Sequence, residues 1–476
     1  MEDKDRLVDL LPDTFHENVK AALKHWHSNN RQMDHGFSQL FIYRQRQRQL
    51  AVQPQLIVNQ LLLDALDELQ QHYTEDAILI RKRSLDDIPV RFLAHQQNVS
   101  ESAIYPQQRR AIHRLTKTLL AMNASALETQ KALMEQRLEA RTYTNLVGVD
   151  PALEELTALI DKPEAPWLIS LEGLGGIGKT TLADALVRRF IAQGKIDDVA
   201  WVSARHQRLD LAGTIHAENK PALTAIELIE RLTDQLFFSH KNNESSQKQW
   251  EALQERLQSI PHLIVIDNLD TLKDVAELLP TLQKLTNPTK FLLTTRNSLL
   301  GTPNVHHFRV AELDRSDART LIRQEAKVSG LPLLATGTDA DLDPIYETVG
   351  GSPLALRLVV GQVHLYPLQS ILLDLRKAQS ETADTLYTYI YRRAWEKLDQ
   401  ISRRTLLAMP LVGPLGADVE YIAEIGNLAI ADVYHALNHL VTLNLVQAAG
   451  GLHDRAYRIH GLTHSFLEKQ VAKWMS

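Results

Sequence analysis

Short apolar runs alternate with stretches of helical spacing through the middle of the chain. Four runs predict buried strands: Trp167–Leu171, Val199–Ser203, His262–Ile266 and Phe291–Thr295. Leu182–Phe190 has apolar residues at the three- and four-residue spacing of a helix. Because strands that alternate with helices form parallel sheets, this pattern predicts an open parallel α/β domain.

Helical patterns dominate the regions on either side. In Leu56–Gln71 the apolar residues recur on one helical face, which predicts core packing. These residues are Val58, Leu62, Ala65, Leu66 and Leu69. Helical runs begin again near Glu396. After them, a glycine turn at Gly450–Gly451 separates Leu445–Gln447 from Ala456–Ile459, which predicts two short strands with a wing between them. The predicted fold class is therefore multidomain, α/β plus α.

Composition bounds the possible functions only loosely. A chain of 476 residues is too long for one hydrophobic core, so three or four domains are expected, and a net charge of −6 says little about partners. The absence of cysteine excludes disulfides and thiolate metal sites. The acidic N-terminus MEDKDRLVDLLPD lacks the features of a signal peptide, and no apolar run reaches about 18 residues. We therefore expect a soluble cytoplasmic protein with no membrane partner.

A glycine-rich loop follows the first predicted strand. Residues 173–181 read GLGGIGKTT and match the phosphate-loop pattern GxxxxGK[ST] between a strand and a helix. Glycines allow backbone conformations in which N–H groups face phosphate oxygens, and the helix start adds free donors. Lys179 is expected to reach the β- and γ-phosphates, and Thr180 to hold Mg²⁺. The residues predicted to bind nucleotide here are Gly173, Gly175, Gly176, Ile177, Gly178, Lys179, Thr180 and Thr181.

Polar residues at the ends of two later strands complete this predicted site. Asp267 follows a buried strand run, at the sheet edge where ligands bind, and is expected to order Mg²⁺ through water. Asp270 is the candidate that orients the attacking water, although a strand-end acid can also simply cap a turn. Arg296 follows the next strand and is expected to sense the γ-phosphate, the alternative being an ordinary surface arginine. Asp267, Asp270 and Arg296 are therefore the predicted catalytic residues.

Further motifs follow in a fixed order, and together with the phosphate loop they resemble the NB-ARC family of signal-transduction (STAND) P-loop ATPases, of the bacterial type. The resemblance covers roughly residues 144–476. Its motifs are Asn145–Asp150, the phosphate loop, Val199–Ser203, the strand ending at Asp267, Thr294–Arg296, Phe308–Leu313 with Ala318 and Leu321, Gly351–Leu356, and Tyr457–Leu462.

The resemblance implies a division of the chain into four domains. A P-loop nucleotide-binding domain would cover residues 144–310, a small helical domain 311–392 and a winged helix 393–476. An all-helical N-terminal domain would cover residues 1–143.

The resemblance also implies roles for residues outside the phosphate loop. Val147 and Gly148 would frame the adenine, Pro353 would pack near it, and His460 would contact the β-phosphate of ADP. The implied function is a switch that holds ADP in a closed resting state, exchanges it for ATP, opens and then signals or self-associates, in bacterial signalling or defence. Hydrolysis would be slow, so the protein would be an ATPase mainly in the sense of resetting the switch.

Two positions depart from the family pattern. The pair of adjacent acids found in plant members is Asp267–Asn268 here, which leaves Asp270 as the candidate base. The aspartate that follows the histidine in the family's MHD motif is replaced by Gly461, so the contact that closes the switch is expected to be weaker.

The N-terminal region contains a helix-turn-helix-like segment at about residues 88–115. Ala94, Asn98, Ser100 and Ile104 match the small, turn, capping and inward-facing positions of that motif, with Val99 between turn and cap. The segment resembles the promoter-reading domain of sigma factors, and basic residues outnumber acidic ones there. Against DNA binding stands Pro106, which would lie inside the second helix. The alternative is an adaptor that holds a protein partner or the nucleotide domain.

Three functions are compatible with the sequence. The first is a nucleotide-gated switch that self-associates with ATP. The second is a DNA-binding transcription regulator that uses the ATPase module as its switch, and the third, less supported by the motifs, is a turnover enzyme or motor. Family members usually carry a repeat sensor after the winged helix, and about sixteen residues follow His460. Three explanations of this difference stay open: the sensor or effector is a separate protein, the N-terminal region is the sensor, or the chain is a fragment.

Overall fold

The computed structural model describes most of the chain as two compact units. The described residues are 12–27, 34–49, 52–141, 143, 145–204, 223–237, 246–269, 272–378, 391, 394–396, 398–413, 416–450, 455–459, 463 and 467. One unit comprises residues 1–133 and the other 134–476. Together they confirm the multidomain α/β plus α fold class, whereas the four-domain division with its boundary after residue 143 stays a prediction.

The residues of the first unit that the structure describes form helices and turns, with no strand. Its elements are α1 (Pro12–Lys24), a 3-10 turn (Phe37–Gln39), α2 (Phe41–Gln49), α3 (Pro54–His72), α4 (Thr74–Ile80), a π-helical turn (Arg81–Leu85), α5 (Val90–Gln96) and α6 (Glu101–Gln136), whose last residues belong to the second unit. The apolar face predicted within α3 is buried against Phe15, Phe37 and Tyr43. The periodicity of this stretch therefore reports core packing.

The helix-turn-helix-like segment comprises α5, a turn at Asn98 and the start of α6. Asn98 adopts a positive φ of 52°, and the Val99 N–H donates to the Ala94 carbonyl at 3.0 Å, which closes the turn between α5 and α6. Ala94 and Ile104 are buried. The helix α6 begins at Glu101 and runs through Pro106, so the proline neither delays the start of this helix nor ends it.

The second unit begins with a five-stranded parallel sheet in the order β2-β3-β4-β1-β5. The strands are β1 (Leu168–Glu172), β2 (Asp198–Ser203), β3 (His262–Leu269), β4 (Lys290–Thr295) and β5 (Val305–Arg309). The helices around them are α7 (Asp150–Ile160), α8 (Lys179–Gln193), α9 (Ala225–Leu236), α10 (Ser246–Ser259) and α11 (Leu272–Leu285). Alternate side chains of β3 and β4 enter two separate cores, one with α7 and α8 and the other with α9, α10 and α11. Burial on both faces explains why the strands read as continuous apolar runs.

A helical region and a small β-hairpin follow the sheet. The helices are α12 (Arg315–Val328), α13 (Pro332–Ala335), α14 (Asp339–Val349), α15 (Pro353–Gln362) and α16 (Leu368–Ala378), then Gln400–Ala408, Val419–Gly426 and Ile430–Thr442, with a 3-10 turn at Met409–Leu411. The antiparallel strands β6 (Gln447–Ala449) and β7 (Ala456–Arg458) come last. One hydrophobic core joins these elements, and the backbone of α15 at Gly361 approaches Leu443 closely.

In the part of the chain that the structure describes, the hairpin follows the helix Ile430–Thr442, and the winged helix at residues 393–476 stays a prediction. The turn between β6 and β7 starts at Gly450, with φ 96°, while Gly451 lies outside the described residues. Among the helices of the part that the structure describes, none is long and apolar enough to cross a membrane.

Candidate nucleotide site

The phosphate loop joins the carboxyl end of β1 to the start of α8. Gly176 and Gly178 have φ of 80° and 103°, in the left-handed region that other residues rarely adopt. Gly178 precedes the first residue of α8, and its carbonyl accepts the Leu182 N–H at 2.8 Å. The positive φ values therefore turn the chain so that the amino end of α8, with its free N–H donors, lies at the carboxyl edge of the sheet.

Lys179 is the charged residue of this loop. Its ammonium donates to the carbonyls of Gly173 at 2.8 Å and Leu174 at 3.0 Å, and the residue is 9% exposed. These contacts fold the side chain back over the loop. The positive charge thus lies where the backbone donors of the loop would hold phosphate oxygens.

Asp267 connects the loop helix to two strands of the sheet. Its Oδ1 accepts hydrogen bonds from Thr180 Oγ1 at 2.7 Å and from Thr294 Oγ1 at 2.6 Å. Its Oδ2 accepts from Asn268 Nδ2 at 2.6 Å, and the residue is fully buried. A carboxylate beside a threonine hydroxyl offers the oxygen ligands that Mg²⁺ takes, directly or through water. The residues present therefore fit a magnesium ion.

A local irregularity in β3 helps to place these groups. The register with β4 shifts between Ile266 and Leu269, and Asn268 has a φ of 66°. The Asn268 N–H donates to Thr294 Oγ1 at 2.9 Å. The shift therefore joins the carboxylate, the hydroxyl and the amide in one compact polar group at the end of the strand.

Arg296 lies at the same sheet edge. It follows Thr295, which is in register with Glu172, the residue directly before the loop. The arginine is partly exposed. Asp270 and His460, the other two predicted contacts, lie outside the described residues.

The predicted adenine-framing segment packs against the connection into the helical region. Gly148 has a φ of 69°, and a Cβ there would lie 2.5 Å from Asp317 Oδ2 and 2.8 Å from Leu313 Cδ2. Burial, then the nearby charges of Asp314 and Asp150, raise the pKa of Asp317. Val147 packs at the edge of the same helical core. This close approach explains why glycine is required at position 148.

Pro353 starts α15 beside the phosphate loop. The N–H of the next residue, Leu354, donates to the Gly176 carbonyl at 3.3 Å. The preceding Gly351 exchanges backbone contacts with Leu313, whose N–H donates to the Gly351 carbonyl at 3.0 Å. A Cβ on Gly351 would lie 2.0 Å from the Leu313 carbonyl oxygen. The structure therefore brings the GSPLAL segment, the Phe308–Leu313 connection and the phosphate loop together.

Comparison with known proteins supports this arrangement. The family model of the NB-ARC domain matches residues 149–329, from α7 to just past α12. The chain contains an NB-ARC domain. The match ends before α13, so the later helices and the hairpin lie beyond it.

The relatives of this chain include plant proteins. A probable disease resistance protein of Arabidopsis thaliana is 25% identical over 305 residues, which is 60% of this chain and 32% of that protein. A disease susceptibility protein of the same plant is 34% identical over 89 residues, covering 18% of this chain and 10% of that protein. Among solved structures, a STAND protein with a tetratricopeptide repeat sensor from Pyrococcus horikoshii is 17% identical, covering 70% of this chain and 44% of that one, with a TM-score of 0.44. The chain spans about a third or less of the length of the curated relatives it matches.

Glu172 is a residue at this edge of the sheet that sequence reasoning missed. It ends β1 and is 8% exposed. It accepts hydrogen bonds from Ser170 Oγ at 2.8 Å, Ser298 Oγ at 3.0 Å, the Leu299 N–H at 2.9 Å and His307 Nδ1 at 2.8 Å. Burial by itself would raise the pKa of this carboxyl, but the hydrogen bonds, led by that from His307, outweigh it and lower the pKa. The signal available in the sequence is a charged residue that ends an apolar strand just before the glycine loop.

Proposed function

We propose that this chain is a nucleotide-gated switch that holds ADP in a closed state and opens when ATP replaces it. The observation that carries the proposal is the hydrogen bond from Leu354 N–H to the Gly176 carbonyl. Because α15 begins against the phosphate loop, a nucleotide that changes the conformation of the loop also changes the contact between the loop and the helical region. ADP and ATP would therefore bind the closed and open states with different free energies, which a shift between the two states requires.

The phosphate end of the proposed site uses the buried polar groups already described. Lys179 would neutralise the β- and γ-phosphates, and Thr180 with Asp267 would hold Mg²⁺, which when bound offsets phosphate charge. Arg296 would read the γ-phosphate from the neighbouring strand end. Hydrolysis, with Asp270 positioning water, would be slow and would reset the switch.

The remaining contacts of the proposal follow the family resemblance. Val147, Gly148 and Pro353 would enclose the adenine. His460, which follows β7 in the proposed winged helix, would touch the β-phosphate of ADP and so hold the closed state. A signalling or defence role is supported by relatives named as disease resistance proteins. Self-association with ATP, and a separate sensor or effector protein, are part of the same proposal.

The first test is to denature the purified chain and identify the released nucleotide by chromatography. We expect stoichiometric ADP from the wild type and none from Lys179→Ala, because the phosphates lose their counter-charge. Lys195→Ala is the matched control, since that lysine pairs with Asp161 beyond the other end of α8. Nucleotide retained by Lys179→Ala, or none in the wild type, would refute the proposed resting state. Size measured with ADP and with a non-hydrolysable ATP analogue then tests self-association.

A second candidate function is DNA binding by the N-terminal unit. The closed turn at Asn98 and the buried Ala94 and Ile104 support it. Against it, two of the basic residues in this segment, Arg110 and Arg114, pair with the buried Asp76. This carboxylate partly neutralises the positive charge that would attract DNA. A salt-dependent shift of duplex DNA by the full chain would support this function. No shift at low salt would leave the protein-adaptor role in its place.

A further inference from the structure

A buried ion pair joins the segment before the NB-ARC domain to the C-terminal hairpin. Arg458, the last residue of β7, donates through Nη1 to Glu139 Oε2. The two side chains are 11% and 8% exposed. Residues this far apart in sequence meet only if the hairpin lies against residues 134–143, which we call the entry segment.

The entry segment is itself anchored to the helix that follows the phosphate loop. The Glu139 carbonyl accepts a hydrogen bond from Arg188 Nη2 at 2.6 Å, and the same guanidinium pairs with Glu135. Arg188 Nε also donates to Asp184 at 2.8 Å, and Asp184 accepts the Tyr143 hydroxyl at 2.6 Å. These hydrogen bonds and ion pairs lie between the entry segment and α8 or within α8, whereas Arg458 reaches the entry segment from β7.

The pair also lies close to the phosphate end of the nucleotide site. A cavity of about 20 Å³, roughly the size of one water molecule, is lined by Glu139 and Arg458 together with Thr180 and Thr181 of the loop helix. A movement of β7 away from α8 therefore has to break the ion pair beside the phosphate-binding residues.

We propose that the Glu139–Arg458 ion pair is a second closing contact of the switch, which holds the C-terminal hairpin against the entry segment and separates when the protein opens. The inference rests on the proposed function for its nucleotide dependence. The pair stabilises only the arrangement in which the hairpin lies against the entry segment, so removing either partner destabilises that arrangement. Opening returns both charges to water, so loss of either partner favours the open form.

The test compares Glu139→Gln, Arg458→Gln and the double variant in the full chain. The readouts are the release rate of a fluorescent ADP chased with ATP, and the radius of gyration in solution. We expect each single variant to release ADP about tenfold faster or more and to have a larger radius. The double variant should add little to either single one, because both remove the same contact. Glu139→Gln is decisive, since Arg458 lies only two residues before His460 and Glu139 is remote from it in sequence.

Arg137→Gln is the matched control. Arg137 is similarly buried, at 9% exposed, and lies in the entry segment, but it pairs with Asp198 of β2, which Arg256 also contacts, and not with the hairpin. It should lower thermal stability and leave the ADP release rate unchanged. Arg458→Lys keeps the charge and should restore most of the slow release, which separates the ion pair from general misfolding.

Two results would overturn the proposal. One is unchanged release and radius in Glu139→Gln, and the other is the same acceleration in Arg137→Gln, which would indicate general loosening. If the wild type holds no ADP, the proposed function fails. The radius of gyration of the variants then tests by itself whether the ion pair holds the closed form. An unchanged radius in both single variants would reject it.

Discussion

Asp267 and Glu172 are two buried carboxylates at the same edge of one sheet, yet their partners differ in kind. Asp267 accepts from Thr180 of the loop helix, so it touches a group that faces the phosphate site. The partners of Glu172 come from its own strand, from the loop that follows Arg296, and from β5. The first carboxylate therefore belongs to the ligand site, and the second holds the scaffold around it. Burial alone does not separate the two roles, whereas the origin of the donors does.

The largest effect that tests this contrast is expected from Asp267→Asn. The variant keeps the shape, and the Asn268 amide can rotate to present its oxygen to the new NH2 group, so stability should change little. The lost charge should weaken Mg²⁺-dependent nucleotide binding by about 10- to 100-fold. Titration of nucleotide with and without Mg²⁺ measures this difference.

The control for that variant is Asp234→Asn, which alters an exposed acid on α9 of the same domain. It should leave the Mg²⁺ dependence unchanged. Normal Mg²⁺ dependence in Asp267→Asn would remove Asp267 from the ligand site, and the contrast with Glu172 would disappear.

The outline of this site could be predicted from sequence because its signals are local. The glycine loop and its flanking strand and helix lie within one stretch of chain, and Asp267 directly follows an apolar run. The strand β5 could not be predicted, because His306 and His307 interrupt its apolar pattern and only its pairing with β1 makes it a strand. The role of Glu172 depends on Ser298 and His307, which are 126 and 135 residues away. No local pattern reports contacts over such separations, and the Glu139–Arg458 pair, at 319 residues, is a still longer case.

A smaller effect, on stability and not on the ligand, is expected from Glu172→Gln. The amide keeps most of the geometry but loses the strength that a charge adds to four hydrogen bonds, so unfolding should be easier by about 1–2 kcal/mol at pH 7. Because the folded state lowers the pKa of Glu172 below its ordinary 4.5, this stabilisation is complete above 4.5 and is lost as the pH falls through the folded-state pKa. Denaturant unfolding at several pH values measures it.

The same measurement tells whether charge is the cause. The wild type and Glu172→Gln should converge in stability as the solution becomes acidic, while the Mg²⁺ dependence of nucleotide binding stays as in the wild type. A gap between the two proteins that is equally large at neutral and acidic pH would mean that shape, and not the ionised carboxylate, accounts for the effect.

The smallest effect is expected from Ser298→Ala, which sharpens the contrast from the donor side. Ser298 is exposed, and its hydroxyl supplies one of the four hydrogen bonds to Glu172 and accepts the Leu300 N–H at 3.2 Å. Its loss should cost about 0.5–1.5 kcal/mol, since water can replace an exposed partner. The pKa of Glu172 should rise, so acid unfolding should begin at a slightly higher pH than in the wild type. A cost above that of Glu172→Gln would show that the loop after Arg296 depends on the serine itself, and the carboxylate would then be one contact among several.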